Sequence, residues 1–378
     1  MKRRLVILTE IIAPYRIPLF NSLAEEPEID LRVVFLAETD PELRQWQVHK
    51  DGIRFSYQVL PSWRRRFGRY KTLINRGLTR GLAAAAPDVI LCGGYSYLAS
   101  WQALFWARLH NVPFLLWSES NRQDQRRSHA LVEFLKTEFL SRCSGFVVPG
   151  QSALEYLRSH KIREEQIFTA PNAVDNELFS ASAAAARQNA SRLRKELDLP
   201  DRYFLFVGRL VPEKGVFDLL SAYAKLDRSV REQVGLVFVG DGASRSRLAE
   251  QSAAISPGVI RFAGFAQQVQ VATYYALAEV AILPTYTDTW GLVVNEAMAC
   301  GLPVIISRVA GCAADLVAEN LNGLLIEPGD VGALATAMNT IAGCSELGLT
   351  MGSNSVRRIS QYSARNWAAG VVRAVHTM

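Results

Sequence analysis

Two carboxylates eight positions apart, Asp288 and Glu296, flank Thr289-Trp290-Gly291 and the apolar pair Leu292-Val293. Upstream, residues 280–283 are apolar and stop at Pro284. Downstream, apolar residues continue to Cys300-Gly301, and Pro303 reopens an apolar run ending at Ile306. This reads as one β-loop-α-β unit whose loop delivers the chain into a helix N-terminus. The first turn of a helix leaves backbone N–H groups unpaired with the helix dipole behind them, so such a loop suits a phosphate group. Neither carboxylate can sensibly bind phosphate, but both can accept hydrogen bonds from hydroxyls. The arrangement suits a ligand with a diphosphate in the middle and a polyhydroxylated group on each side.

A second loop carries the opposite charge. An apolar strand over 203–207 runs into Gly208-Arg209-Leu210-Val211-Pro212-Glu213-Lys214-Gly215. An arginine and a lysine five positions apart, in a glycine-bounded loop after a buried strand, can converge on one anion, Arg as a planar fork and Lys as a point charge. Gly240-Asp241-Gly242 and Ala263-Gly264-Phe265 are further turns at strand ends. In the first half, Ser118-Glu119-Ser120-Asn121-Arg122 follows a strand over 112–117 and places an acid and an arginine in a candidate cleft loop. A surface or helix-capping role for Glu119 stays open. Tyr15 and Arg16, after the first strand, either line the cleft or belong to an ordinary helix entry at Pro14.

These runs resemble the retaining glycosyltransferases of family 4, whose GT-B fold is α/β, with two Rossmann-like doubly wound domains facing across a cleft. The usual signature there is two glutamates around Phe-Gly-Leu; here the residues are Asp288, Trp290-Gly291-Leu292 and Glu296. The family's Gly-Arg-x4-Lys-Gly run stands at 208–215 with its spacing kept, and its Pro-Asn-Gly-Val-Asp segment at 171–175, with Ala173 replacing Gly. The resemblance implies that Asp288 contacts the donor sugar and Glu296 the nucleotide ribose. It assigns Arg209, Lys214 and the loop amides of Thr289, Trp290, Gly291, Leu292 and Val293 to the diphosphate, and the turn at Phe265 to the base. Glu119 falls where relatives often carry a histidine near the reacting centre. Two departures stand out: Asp288 is one methylene shorter than Glu, and the Gly-rich loop many members carry after the first strand is missing. Sugar transfer with retention of configuration, in polysaccharide or glycoconjugate biosynthesis, is what the resemblance implies; a non-catalytic nucleotide- or glycan-binding relative is the alternative.

The elements that must position these residues alternate as α/β. In the first half, strands are expected over 4–9, 31–35, 55–60, 89–92, 112–117 and 145–148, and helices over 16–25, 70–84, 98–109 and 152–159. The second half repeats the pattern from the strand over 203–207 to helices over 331–341, 349–359 and 364–374. Residues 180–189 are rich in Ala, Ser and polar residues, and this shift in composition places the domain boundary near 180. The expected organisation is an acceptor-side domain over 1–180 and a nucleotide-sugar domain over 181–360. By the resemblance, the closing helix in 361–378 returns to the first domain with Trp367 as its anchor.

Composition bounds the rest. A chain of 378 residues is long enough for two domains, and 49% apolar with 21% charged residues is the balance of a globular protein. No apolar run approaches the roughly 20 residues that span a bilayer. Glu10 and Pro14 interrupt the N-terminal apolar run, which reads as a buried strand and not a signal peptide. Five scattered cysteines indicate a reducing cytoplasm and no disulfide framework. No two aspartates stand two apart, so no metal site of that kind is expected, and the nucleotide-diphosphate sugar is a substrate with no separate cofactor. The net charge of +6 concentrates where no acid occurs between Asp51 and Asp88, while Arg54, Arg64, Arg65, Arg66, Arg69, Lys71, Arg76 and Arg80 do, interleaved with Trp63, Phe67 and Tyr70. That mixture suits an anionic membrane surface, where a lipid-linked acceptor is presented. The expected location is the cytoplasm, peripheral on the cytoplasmic face of the membrane. No nucleic-acid-binding module is recognisable.

Overall fold

The structure, a computed structural model, describes residues 2–40, 46–48, 50–67, 70–121 and 130–378, the side chains of 65–67, 70–72, 130 and 131 excepted. The chain divides into two compact units, residues 1–174 with 364–378, and residues 175–363.

In the first unit, seven strands form a parallel sheet: β1 (Arg3–Thr9), β2 (Ile29–Phe35), β3 (Ser56–Val59), β6 (Val89–Cys92), β7 (Phe114–Trp117), β8 (Gly145–Val148) and β9 (Ile167–Thr169), in the order β3-β2-β1-β6-β7-β8-β9. Parallel strands covered on both faces read as continuous apolar runs, and β1 is buried from Leu5 to Thr9. Its side chains alternate between two cores. Leu5 and Ile7 pack on one face with Leu115, Trp117 and Trp367. Val6 and Leu8 pack on the other with Ile90, Leu116 and Phe146. The closing helix Ala364–Thr377 thus belongs to this unit, and Trp367 is fully buried, its ring centroid 5.2 Å from that of Trp117 and 5.7 Å from that of Phe20.

The helix expected over 70–84 is corrected. Two strands, β4 (Ser62–Phe67) and β5 (Tyr70–Asn75), pair antiparallel, and the helix is the shorter Leu78–Ala85. Thr72 and Ile74 are β-branched, which favours a strand, and the left-handed Gly77 separates it from the helix.

In the second unit, six parallel strands stand in the order β12-β11-β10-β13-β14-β15: β10 (Arg202–Val207), β11 (Val234–Val239), β12 (Ile260–Gly264), β13 (Val280–Leu283), β14 (Val304–Ser307) and β15 (Gly323–Ile326). The Ala- and Ser-rich stretch at 180–189 is largely helical. Helix Asn176–Gln188 opens this unit, its first turn capped by Asp175, whose Oδ1 accepts from Leu178 N at 2.9 Å. Asn176 Nδ2 donates to the carbonyls of Ile359 and Tyr362, both at 3.1 Å, and Arg187 Nε to that of Ala276 at 3.1 Å. Alanine has the highest helix propensity, so an Ala-rich stretch after a good cap folds as helix.

Candidate functional site

In an open parallel sheet, ligands bind beyond the carboxyl ends of the strands where the strand order reverses direction. In the second unit that point lies between β10 and β13, because the chain runs β10-β11-β12 outward and then returns to β13 on the other side of β10. The two loops singled out by chemistry leave these two strands. They also touch. Gly215 has φ +68°, and a Cβ there would lie 1.9 Å from the carbonyl oxygen of Pro284, so only glycine lets the loops approach this closely. Tyr286 N and Thr285 Oγ1 both donate to the carbonyl of Glu213, at 2.9 and 3.0 Å, and lock the contact.

Lys214 ends the turn Pro212–Lys214, and its Nζ lies 2.6 Å from Asp288 Oδ2 and 3.1 Å from the carbonyl of Thr287. Both side chains are mostly buried, 15% and 18% exposed. The other Asp288 oxygen accepts from Trp290 N at 3.3 Å. A third loop braces this one from behind: Gly311 N donates to the carbonyl of Asp288 and Cys312 N to that of Trp290, each at 3.0 Å. A Cβ on Gly311 would meet Thr289 O at 1.9 Å.

Trp290 is buried and donates through Nε1 to Asn295 Oδ1 at 2.8 Å, so its indole is a structural anchor, while Thr289 is exposed. Gly291, at φ +98°, opens helix Leu292–Ala299 without a side-chain cap or an acid in the first turn, and Leu292 and Val293 are half-buried there. A helix end of this kind is an anion site. Arg209 is exposed and makes no ion pair among the described residues. Its neighbour Leu210 is joined to the turn after β11 by a bond from its N–H to the carbonyl of Asp241, at 2.9 Å. Phe265 follows the edge strand β12 and is 42% exposed.

Glu296 lies on the second turn of that helix, half-buried, and its Oε2 accepts from the hydroxyl of Tyr275 at 3.0 Å. Burial pushes the carboxyl up to about 7, and the Tyr275 hydrogen bond opposes that rise. Tyr275 is fully buried, and burial, with the Glu296 charge beside it, raises its hydroxyl well above the usual phenol range.

The first unit has its own reversal point between β1 and β6. Arg16 follows β1, and its guanidinium lies 4.2 Å from the centroid of Trp117, donates to Thr9 Oγ1 at 3.1 Å and pairs with Glu119 Oε2 at 3.4 Å. Asn172 Nδ2 donates to the other oxygen of Glu119 at 3.1 Å. Glu119 thus holds a cation at the carboxyl edge of the first sheet. Arg122 lies outside the described residues.

The structure therefore joins Lys214 to Asp288, and Arg16 to Glu119. Sequence reasoning missed both pairings, and it missed Tyr275, Asn172 and the bracing loop at 310–312. These partners stand up to 103 positions away in the chain, with no local pattern to connect them.

Comparison with known proteins bears on both units. Residues 188–358 match the family described as Glycosyl transferases group 1, and residues 20–173 the Glycosyl transferase 4-like domain. Among curated proteins, D-inositol 3-phosphate glycosyltransferase 2 of Catenulispora acidiphila is 31% identical over 229 residues, 58% of this chain and 52% of that protein. The putative teichuronic acid biosynthesis glycosyltransferase TuaC of Bacillus subtilis is 32% identical over 196 residues, 50% of this chain and 47% of its own. The chain thus spans about half the length of these relatives. Among solved structures, Anabaena HepE in complex with UDP superposes with a TM-score of 0.79 at 18% identity, over 100% of both chains. WaaG, a glycosyltransferase involved in lipopolysaccharide biosynthesis, superposes at 0.69 and 16%, over 98% of this chain and 99% of its own. At such identities the likeness shows the fold, and that fold is GT-B.

Proposed function

This chain belongs to the group 1, family 4-like glycosyltransferases, and from that premise we propose that it moves a sugar, a hexose or a close relative, from a nucleotide-diphosphate sugar to a glycan or lipid-linked acceptor, with retention of configuration and without a metal ion. One observation carries the reading: at the point where the second sheet reverses, an ion-paired lysine, a carboxylate and an uncapped helix end lie on two loops locked together. The names of similar proteins, which include inositol-phosphate and teichuronic acid glycosyltransferases, support a role in glycoconjugate or polysaccharide synthesis.

In the proposed reaction the bond between sugar and phosphate breaks, and negative charge grows on the departing diphosphate. Lys214, Arg209 and the amides of Leu292 and Val293 stabilise that charge more as it develops, which is how binding lowers a barrier. In this account the diphosphate draws Lys214 away from Asp288, which frees the aspartate to accept from a donor-sugar hydroxyl. Exchange of one anionic partner for another keeps the lysine paired throughout. Glu296, in its charged form, accepts from the ribose hydroxyls, and Phe265 flanks the base. On the first unit, Arg16, clamped by Glu119, supplies a fixed cation after β1 where relatives often have a Gly-rich loop.

Peripheral attachment to an anionic membrane through the basic strip from Arg54 to Arg80 is part of the proposal. Its supports are Trp63, 46% exposed on β4, and Arg76, 4.7 Å from the centroid of that ring. No helix among the described residues is long and apolar enough to cross a membrane. The remaining strip side chains from Arg65 to Lys71 lie outside the described ones.

The test is a panel of UDP-, GDP- and ADP-sugars with lipid-linked and soluble glycan acceptors, in EDTA. Nucleotide release is followed, with proton NMR of the new anomeric centre. Release of one nucleotide and a product of unchanged configuration are expected. A shift in melting temperature with no release on any pair would contradict transfer, and an inverted product would contradict retention.

A further inference from the structure

A groove of about 420 Å³ opens on the first unit beside its edge strand β3, lined by none of the site residues described above. Arg32 from β2, Gln58 from β3, Arg76 after β5 and Arg80 from helix Leu78–Ala85 line it, and no aspartate or glutamate does. Among the described residues, none of the three arginines makes an ion pair. Guanidinium groups do not lose their charge at any accessible pH, so three of them around one concavity repel each other unless an anion sits among them.

The backbone adds to this field. Helix Leu78–Ala85 starts at Gly77, on the groove wall, with neither a side-chain cap nor an acid in its first turn. Its positive end therefore adds to the arginines. Arg76 is held in place by the Trp63 ring, and Gln58 Oε1 lies against Gly81, 3.4 Å from where a Cβ would be, so its amide sits directly on the groove wall. Planar forks, an amide and a helix end are the donor set that recognises a phosphate group.

We propose that this groove is a phosphate-binding site, taking the phosphate ester of either an anionic lipid headgroup or a free phosphorylated molecule. It stands on the first unit alone and holds whether or not the second unit turns over a nucleotide sugar. It differs from general attraction of a basic strip to a membrane because Arg32 lies outside that strip and the three arginines line one groove.

The experiment uses the whole chain at low ionic strength. Glycerol 3-phosphate binding is measured by calorimetry, and cosedimentation is measured with vesicles of phosphatidylcholine with and without phosphatidylglycerol. Arg32→Gln with Arg80→Gln is compared with Arg108→Gln with Arg357→Gln, which removes the same charge elsewhere. Loss of charge-assisted hydrogen bonds from two guanidinium groups is expected to weaken glycerol 3-phosphate binding about tenfold or more in the groove variant only. Vesicle binding lost in that variant, with no binding of the free ester, assigns the site to lipid headgroups. Ester binding without groove-dependent vesicle binding assigns it to free phosphorylated molecules. Absence of both, or equal loss in the two double variants, overturns the proposal. Circular dichroism and melting temperature monitor folding, and Arg80→Gln alone, an exposed helical position, repeats the comparison should the double variant unfold.

Discussion

Replacing Tyr275 with Phe removes a single hydroxyl from the proposed donor site. That hydroxyl donates to Glu296 Oε2 at 3.0 Å and lies 3.2 Å from the carbonyl of Val293. Burial holds the Glu296 carboxyl at about 7, with the tyrosine pulling it down. Without that partner the charged form loses support and the pKa rises. A hydrogen bond to a charged group contributes about 1.5–3 kcal/mol, and about 1.4 kcal/mol is one pH unit, so the rise is roughly one to two units. In the proposed contact the charged carboxylate is the stronger acceptor for the ribose hydroxyls, because it has no O–H of its own. With a pKa near 8, about a tenth of the variant is ionised at pH 7 against about half of the native protein, a roughly fivefold loss of nucleotide affinity. The loss shrinks as pH rises and disappears above about pH 9. Calorimetric titration with the nucleoside diphosphate that the donor panel identifies, repeated across this range, reads the two midpoints. An unchanged midpoint, or an equal loss at every pH, would refute the reasoning, because damage to packing alone does not move a titration.

Three further outcomes follow from the same geometry. Since the folded-state pKa of Glu296 lies above its unfolded value of 4.5, its contribution to stability is complete below that value and is lost as pH climbs through about 7; Glu296→Gln should therefore gain melting temperature over the native protein between pH 5 and 8, and a constant difference would contradict this. Asp288→Asn leaves Lys214 without its charged partner where both side chains are under one-fifth exposed, which should cost about 1–3 kcal/mol in denaturant unfolding. Gly215→Ala places a Cβ 1.9 Å from Pro284 O at a φ of +68°, and the strain and forced separation of the two loops should cost more than about 2 kcal/mol and weaken nucleotide binding as well.

Much of the second unit was legible because its chemistry is local in sequence. Apolar runs ending in glycine-bounded loops marked β10 and β13, and the charged residues of those loops stood at recognisable spacings. The partnerships that organise the site were not legible. Tyr275 looks like any core aromatic in its helix, and only the packing of that helix against Leu292–Ala299 brings its hydroxyl to Glu296. Lys214 reads as a free cation until Asp288 is placed beside it. In the first unit Tyr70–Asn75 reads as the start of a helix because it runs on without a break toward the Ala-rich 82–86, although Thr72 and Ile74 favour the strand that forms. The helix Asn176–Gln188 is hidden by the change in composition at 180, although Asp175 is a good cap for it. Both errors weigh composition over local conformational preference.

The central claim is that a diphosphate binds where β10 and β13 diverge, and a crystal structure of the complex with a nucleoside diphosphate tests it most directly. The account predicts phosphate oxygens within hydrogen-bond distance of Lys214 Nζ and of the amides at the start of Leu292–Ala299, with Lys214 drawn away from Asp288 and Glu296 facing the ribose. A nucleotide seated elsewhere, with the Lys214–Asp288 pair still closed, would contradict it.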